Sequence, residues 1–373
     1  MINVLSIFGT RPEAIKMAPV VKELGKHPDQ IRSTVCVTAQ HRQMLDQVLD
    51  LFAIEPDYDL DLMREGQSLS GLTARVFSAL DPVLVEEAPD WVLVQGDTTT
   101  VMAASLAAFY HHIKVGHVEA GLRTFDKRQP FPEEINRRIA GVVADLHFAP
   151  TETSRANLLR EGVDPESIQV TGNPVIDALR IAAEMPYDLD GGELAGIPWE
   201  KRVLLVTAHR RENFGEPLEN ICRALVELTQ RFPDIQVVYP VHLNPRVRGP
   251  VYQILGEKEG INLLPPLDYL PLVQLMKRSY LVLTDSGGIQ EEAPGLGKPV
   301  LVLREKTERP EAVEAGTVRL VGTDQEVILR EAARLLEEPD HYQRMSQAVN
   351  PYGDGKAAER IVRHVLDNTR DDR

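Results

Sequence analysis

The sequence predicts an α/β fold built from two doubly wound parallel halves, and three observations carry that prediction. Short, almost wholly apolar runs at residues 2–8, 31–39, 91–94, 113–118, 146–149 and 168–170 alternate with stretches of helical composition. Strands that are apolar on both faces belong to a parallel sheet covered by helices on each side. The alternation pauses over residues 184–200, where Pro186, Asp188, Asp190, Gly191, Gly192, Gly196 and Pro198 read as a linker. It then restarts, with strands at 202–206, 235–241, 261–264, 280–283 and 300–303. Finally, the polar residues cluster just past the carboxyl ends of these strands, where open parallel sheets bind their ligands.

Each element has its own local reason. Residues 2–8 form the first strand, and Gly9-Thr10-Arg11-Pro12-Glu13 closes it. Pro12 suits the first turn of a helix, which continues with apolar residues at helical spacing over 14–24. A helix over 42–52 follows the second strand, and 70–85 is amphipathic. The third strand ends in Gln95-Gly96-Asp97-Thr98 before a small-residue helix that runs to about Tyr110. The fourth ends in Glu119-Ala120-Gly121-Leu122-Arg123. A last amphipathic helix spans about 357–367 and could pack on either half.

Composition limits the partners. A chain of 373 residues with 43% hydrophobic and 26% charged residues accommodates two ordinary globular domains. A formal net charge of −15 argues against nucleic acid or an anionic membrane surface as the main partner. An anionic ligand therefore needs a local basic pocket. Two cysteines, Cys36 and Cys222, offer no disulfide framework and are expected as buried thiols. The apolar start is too short for a signal peptide and no run reaches membrane-spanning length, so a cytoplasmic protein is expected.

The candidate chemistry lies at the strand ends. Thr284-Asp285-Ser286-Gly287-Gly288-Ile289-Gln290-Glu291-Glu292 reads as strand, tight turn and helix, which turns unpaired N–H groups and a helix dipole toward an anion such as a phosphate. Glu292, one turn inside, is placed to accept hydrogen bonds from sugar hydroxyls. Arg11 and Lys16 bring cations to another helix start. The chain has neither Walker spacing nor a Gly-x-Gly-x-x-Gly fingerprint after its first strand, so nothing points to NAD or a P-loop. Asp97 and Glu119, past neighbouring strands, and Glu133 and Glu134, at a helix start, are expected to share acid/base chemistry in which crowding raises one pKa. His209, directly after a strand, is a candidate phosphate partner or general acid. His111, His112 and His117 do not have a recognised metal-ligand spacing, so no metal site is expected.

Taken together, Gly9-Thr10-Arg11-Pro12-Glu13, Gln95-Gly96-Asp97-Thr98, His117-Val118-Glu119-Ala120-Gly121-Leu122-Arg123, Pro132-Glu133-Glu134-Ile135-Asn136-Arg137, Thr207-Ala208-His209-Arg210-Arg211-Glu212-Asn213, the stretch from Thr284 to Ala293 and Glu308-Arg309-Pro310-Glu311 resemble the non-hydrolysing bacterial UDP-N-acetylglucosamine 2-epimerases. The resemblance implies the glycosyltransferase-B type of fold: a Rossmann-like domain over 1–175, a UDP-binding Rossmann-like domain over 176–355, and an interdomain cleft holding the nucleotide sugar. It also implies that a C-terminal helix, 356–373, packs back on the first domain. The implied reaction interconverts UDP-N-acetylglucosamine and UDP-N-acetylmannosamine without a cofactor or metal, in a homodimer that supplies polysaccharide biosynthesis.

Carried over by position, Asp97, Glu119, Glu133 and His209 are the catalytic residues. Arg11, Lys16, Arg137, Ser286, Gly287, Gly288 and Glu292 bind substrate. Gln40, His41, Gln43, Arg210 and His242 resemble parts of a second, activating site for UDP-N-acetylglucosamine. The arginine expected there near Glu65-Gly66-Gln67 is Gly66 in this chain, which counts against activation.

Overall fold

The structure, a computed structural model, describes residues 1–39, 42–64 and 66–370. Its elements run β1 (Ile2–Phe8), α1 (Arg11–Leu24), β2 (Ile31–Val37), α2 (Arg42–Leu51), β3 (Tyr58–Asp59), α3 (Leu69–Glu87), β4 (Trp91–Gln95), α4 (Thr99–Tyr110), β5 (Lys114–Val118), α5 (Glu133–Val143), β6 (Leu146–Ala149), α6 (Glu152–Arg160), β7 (Ile168–Val170) and α7 (Pro174–Glu184). The series continues with β8 (Arg202–Thr207), α8 (Glu216–Arg231), β9 (Ile235–Pro240), α9 (Pro245–Leu255), β10 (Ile261–Leu264), α10 (Tyr269–Arg278), β11 (Leu281–Thr284), α11 (Gly287–Gly295), β12 (Val300–Val302), α12 (Pro310–Glu314), β13 (Val318–Leu320), α13 (Gln325–Glu337), α14 (Pro339–Ser346) and α15 (Ala357–Arg370). Contacts divide the chain into two compact units, Met1–Ala178 with Tyr352–Arg373, and Leu179–Pro351.

In the first unit seven strands pair in the order β3-β2-β1-β4-β5-β6-β7, every pair parallel. The order reverses between β1 and β4, which opens a crevice at their carboxyl ends. Leu5, Ile7, Val92, Val94 and Val115 bury one sheet face against Val76, Leu80, Val101 and Ala104 of α3 and α4. Helix α15 packs on α1, and Trp91 Nε1 donates to Thr369 Oγ1 at 2.7 Å. The free N–H groups at the start of α15 are met by the Asp177 carboxylate, which accepts from Ala357 N at 3.2 Å and Ala358 N at 3.0 Å. Capping by a borrowed side chain ties the last helix to α7.

The second unit repeats the plan with six parallel strands ordered β10-β9-β8-β11-β12-β13, reversing between β8 and β11. Its core joins Leu204, Val206, Val237, Leu281, Leu283 and Leu301 to Ile221, Leu225 and Leu228 of α8 and Ile328 of α13.

Two expectations change in detail. The strands β3 and β13, two and three residues long, were not predicted; both are sheet edges too short to show a periodic pattern. The chain leaves the first unit inside α7, ahead of the residues read as a linker, and 187–200 form turns of the second unit. Cys36 and Cys222 are buried and free, and burial pushes both thiols up to about 12. Among the described residues no helix is long and apolar enough to cross a membrane.

Candidate active site

In the first unit the crevice between β1 and β4 is walled by two helices whose starts are already occupied. Thr10 and Glu13 form a capping box on α1: Glu13 Oε2 accepts from Gly9 N at 3.1 Å and Thr10 N at 2.7 Å. Glu13 Oε1 accepts from Thr98 Oγ1 at 2.7 Å, and Thr98 in turn caps α4 through Val101 N. Glu13 is almost fully buried, and burial raises its pKa although four hydrogen bonds pull the other way. One carboxylate thus pins the two strand-end loops together. Arg11, half-buried on the first turn of α1, has no ion-pair partner among the described residues.

The predicted acids stand around this pinned pair of loops, each held separately. Glu119, just past β5, takes the left-handed conformation, with φ of 63°. Its Oε2 accepts from Lys16 Nζ, from Gln95 Nε2 at 3.0 Å and from Asn173 Nδ2 at 3.2 Å. Asp97, past β4, pairs with Arg137 Nη2 at 2.5 Å, and its carbonyl accepts from Asn136 Nδ2 at 3.0 Å. Each carboxylate therefore faces its own cation, where crowding between acids was expected. Glu133 lies one turn before Arg137 on α5, at the i, i+4 spacing that puts both on one face. Its Oε2 is buried and has no hydrogen-bond partner among the described residues.

Glu134 and Arg123, both inside the quoted motifs, do other work. Glu134 is wholly buried and accepts from Thr124 N and Phe125 N, at 3.0 and 3.1 Å, holding the loop before α5. That loop contains two cis peptide bonds, Gln129–Pro130 and Phe131–Pro132. Arg123 turns inward, with its side chain 1% exposed, and grips Glu161 through Nε and Nη2. Gly121 beside it is obligatory, because with φ of 89° an added Cβ would lie 2.3 Å from Ser154 O. His117 and His147, opposite each other on β5 and β6, are buried imidazoles lowered to about 4 and about 3 by burial. His117 Nε2 donates to Gly96 O at 2.7 Å.

In the second unit the helix after the reversal point is open at its start. Ser286 is the N-cap of α11 but its side chain makes no capping bond. A Cβ added at Gly287 would meet the guanidinium of Arg309 at 3.4 Å and that of Arg210 at 3.7 Å. Two arginines therefore flank the Ser-Gly-Gly turn, and the helix dipole adds to their field. Arg309 Nε is anchored on buried Glu291 at 2.7 Å. Glu292 lies one turn inside, where Tyr269 OH donates to it at 3.1 Å.

His209, past β8, is 38% exposed and stacks on His242, with ring centroids 5.5 Å apart and planes 10° from parallel. Burial pulls its imidazole below the usual range; Asp285 counters this, and His242 and Arg210 add to the lowering. Of the residues read as a second site, Arg210 and His242 thus lie beside the turn and beside His209. Gln43 is exposed on the first turn of α2, and Gln40 and His41 lie outside the described residues. Gly66 has φ of 67°.

Several residues around these groups had no role in the sequence reading: Glu13, Gln95, Asn173, Tyr269, Asp285 and Arg309. Glu13, Gln95, Asp285 and Arg309 stood inside quoted motifs, which was the available signal. Asn173 and Tyr269 had none.

Two parallel, doubly wound units with strand-end polar residues define a fold of the glycosyltransferase-B class. A solved glycotransferase of kitacinnamycin shares it, with a TM-score of 0.65 over 97% of this chain and 98% of that one at 13% identity, a likeness of fold alone. More specifically, residues 22–366 match the family described as UDP-N-acetylglucosamine 2-epimerase. The Escherichia coli K12 UDP-N-acetylglucosamine 2-epimerase is 58% identical over 372 residues, covering 98% of this chain and 99% of its own. A crystal structure of the Neisseria meningitidis UDP-GlcNAc 2-epimerase bound to UDP-GlcNAc has a TM-score of 0.87 and 52% identity, covering 98% of this chain and all of that one. The chain belongs to the UDP-N-acetylglucosamine 2-epimerase family, as the motif resemblance implied.

Proposed function

We propose that this protein interconverts UDP-N-acetylglucosamine and UDP-N-acetylmannosamine without hydrolysing either. The observation that supports this reading best is the group of individually held acids in the first unit: Glu119 on Lys16, Gln95 and Asn173, Asp97 on Arg137, and Glu133 with a buried oxygen awaiting a donor. Inversion at C2 cannot proceed by simple deprotonation, because that carbon is not next to a carbonyl. Anti elimination avoids the problem. One carboxylate takes the C2 proton while the C1–O bond breaks, and its electron pair leaves with UDP to give 2-acetamidoglucal. A proton then reaches C2 from the opposite face and UDP returns to C1. Two acid/base groups on opposite sides of the sugar are required, and Asp97, Glu119 and Glu133 supply the candidates.

UDP must be held throughout, since it is both leaving group and returning nucleophile. The reading gives its phosphates to Ser286, Gly287, Gly288, Arg11 and Arg309, its ribose to Glu292, and its departure to His209. Charge-assisted donors preorganised at the forming phosphate oxygen lower the cost of elimination. Lys16 and Arg137 keep the acids in register. The product is taken to feed cell-surface polysaccharide, made in the cytoplasm by a homodimer.

Proton NMR of UDP-N-acetylglucosamine with the protein in D2O tests the reading. UDP-N-acetylmannosamine carrying deuterium at C2, with no free sugar released, is expected. Retained protium at C2 overturns the elimination, and release of N-acetylmannosamine with UDP identifies a hydrolysing enzyme.

A further inference from the structure

Asp285 lies at the end of β11, completely buried, and one of its carboxylate oxygens is saturated while the other is not. Oδ2 accepts from His209 N at 2.8 Å, Arg210 N at 2.8 Å and Asn213 Nδ2 at 2.9 Å. Among the described residues Oδ1 is buried without a hydrogen-bond donor, and His209 Nδ1 faces it at 3.4 Å, a charge contact rather than a formed hydrogen bond. An anionic oxygen buried without a donor is costly, so its retention calls for a partner. The same carboxylate thus grips the backbone of His209 with one oxygen and addresses its ring with the other. His242 covers one face of the ring.

We propose that Asp285 is a positioning residue for the reaction: it holds His209 with the proton on Nδ1 and thereby presents Nε2 to the departing and returning diphosphate. This rests on the epimerase reading for the identity of the diphosphate. The physical logic is that of a carboxylate fixing tautomer and ring orientation and stabilising the imidazolium that forms when Nε2 carries a proton toward developing negative charge. The ring takes up a proton from water on Nε2 as the anionic diphosphate binds, giving the imidazolium whose Nδ1–H faces Asp285. When the C1–O bond breaks, its electron pair resides on the β-phosphate oxygen, hydrogen-bonded to that Nε2–H. On re-addition the pair returns to C1 and the proton stays with the histidine. The merely structural alternative is that Asp285 only staples the loop after β8 to β11 through its three Oδ2 bonds.

Asp285→Asn separates the two. The amide oxygen can keep those three donors, while its NH2 group turned to Nδ1 favours the opposite tautomer. Turnover of UDP-N-acetylglucosamine is expected to fall about 10²- to 10⁴-fold, with the dissociation constant of UDP changed by less than about threefold. In 15N NMR of the His209 side chain, the neutral wild-type ring should be protonated on Nδ1 and the variant ring on Nε2. Since Asp285, His242 and Arg210 are the charged or titratable groups facing the ring, removing the one anion should also lower the pH at which His209 titrates. Adding Asp285→Asn to His209→Gln should cost no further turnover. An Nε2-protonated neutral ring in the wild type, or a further loss on the His209→Gln background equal to that on the wild type, overturns the proposal. If the wild type shows no epimerisation, the function reading fails, and the 15N tautomer still decides whether Asp285 sets the ring.

Discussion

The two units share one winding scheme and use the start of the helix at its reversal point in opposite ways. In the first unit, α1 and α4 are closed by their own side chains, Thr10 with Glu13 and Thr98, and their N-terminal N–H groups are partly occupied before any ligand arrives. In the second unit, α11 begins at Ser286 with no side-chain cap and two guanidiniums beside Gly287. The difference shows how a repeated fold divides labour. A capped start is a rigid wall on which carboxylates can be mounted; an uncapped start keeps its dipole and donors for an anion. It also changes how charge is used. Lys16 and Arg137 are committed to acids of their own unit, whereas Arg210 lies against the open turn.

The largest break in this comparison comes from the carboxylates. Glu119→Gln is expected to lower turnover about 10³-fold while UDP affinity, measured by titration calorimetry, stays within a fewfold. Wild-type-like turnover would remove Glu119 from the chemistry.

Acid tests the first unit next. His117 and His147 are held neutral by burial, with pKa values lowered to about 4 and about 3. The unfolded chain binds their protons below its ordinary histidine range near 6.5, and the folded one does not. Folded stability is therefore complete above about pH 6.5 and declines as pH falls toward 4, by roughly 1–2 kcal/mol per histidine at pH 5. Denaturant unfolding at pH 7 and pH 5 should show a smaller acid loss in His147→Gln, and an unchanged loss would argue against this origin.

The smallest effect tests the caps directly. Thr10→Ala should cost about 1 kcal/mol in denaturant unfolding. Ser286→Ala, which removes no capping bond, should leave stability within about 0.5 kcal/mol yet weaken UDP binding. Equal stability losses in the two would erase the distinction between a closed and an open helix start.

Much of the fold could be read from the chain because its signals are local. Continuous apolar runs marked eleven of the thirteen strands of the structure, and the two missed, β3 and β13, are edge strands with too few residues to show a pattern. The Ser-Gly-Gly turn was legible for the same reason, as strand, glycine pair and helix follow one another within a few residues. Partnerships were not. Glu119 meets Lys16 across 103 residues of chain and Asn173 across 54, and Asp285 meets His209 across 76. Arg123 looked like one more strand-end cation until its side chain proved to be turned inward onto Glu161.

The sequence by itself determined the alternation of strand and helix, the kinds of residue at the strand ends, and the family to which the chain belongs. Periodicity, turn chemistry and ordered motifs are properties of neighbours along the chain. Only the tertiary structure decided which acid faces which cation, that α1 is closed while α11 is open, and that Asp285 meets His209. Sheet order and register bring distant strand ends within hydrogen-bonding range, and that distance is not written in any short stretch of sequence.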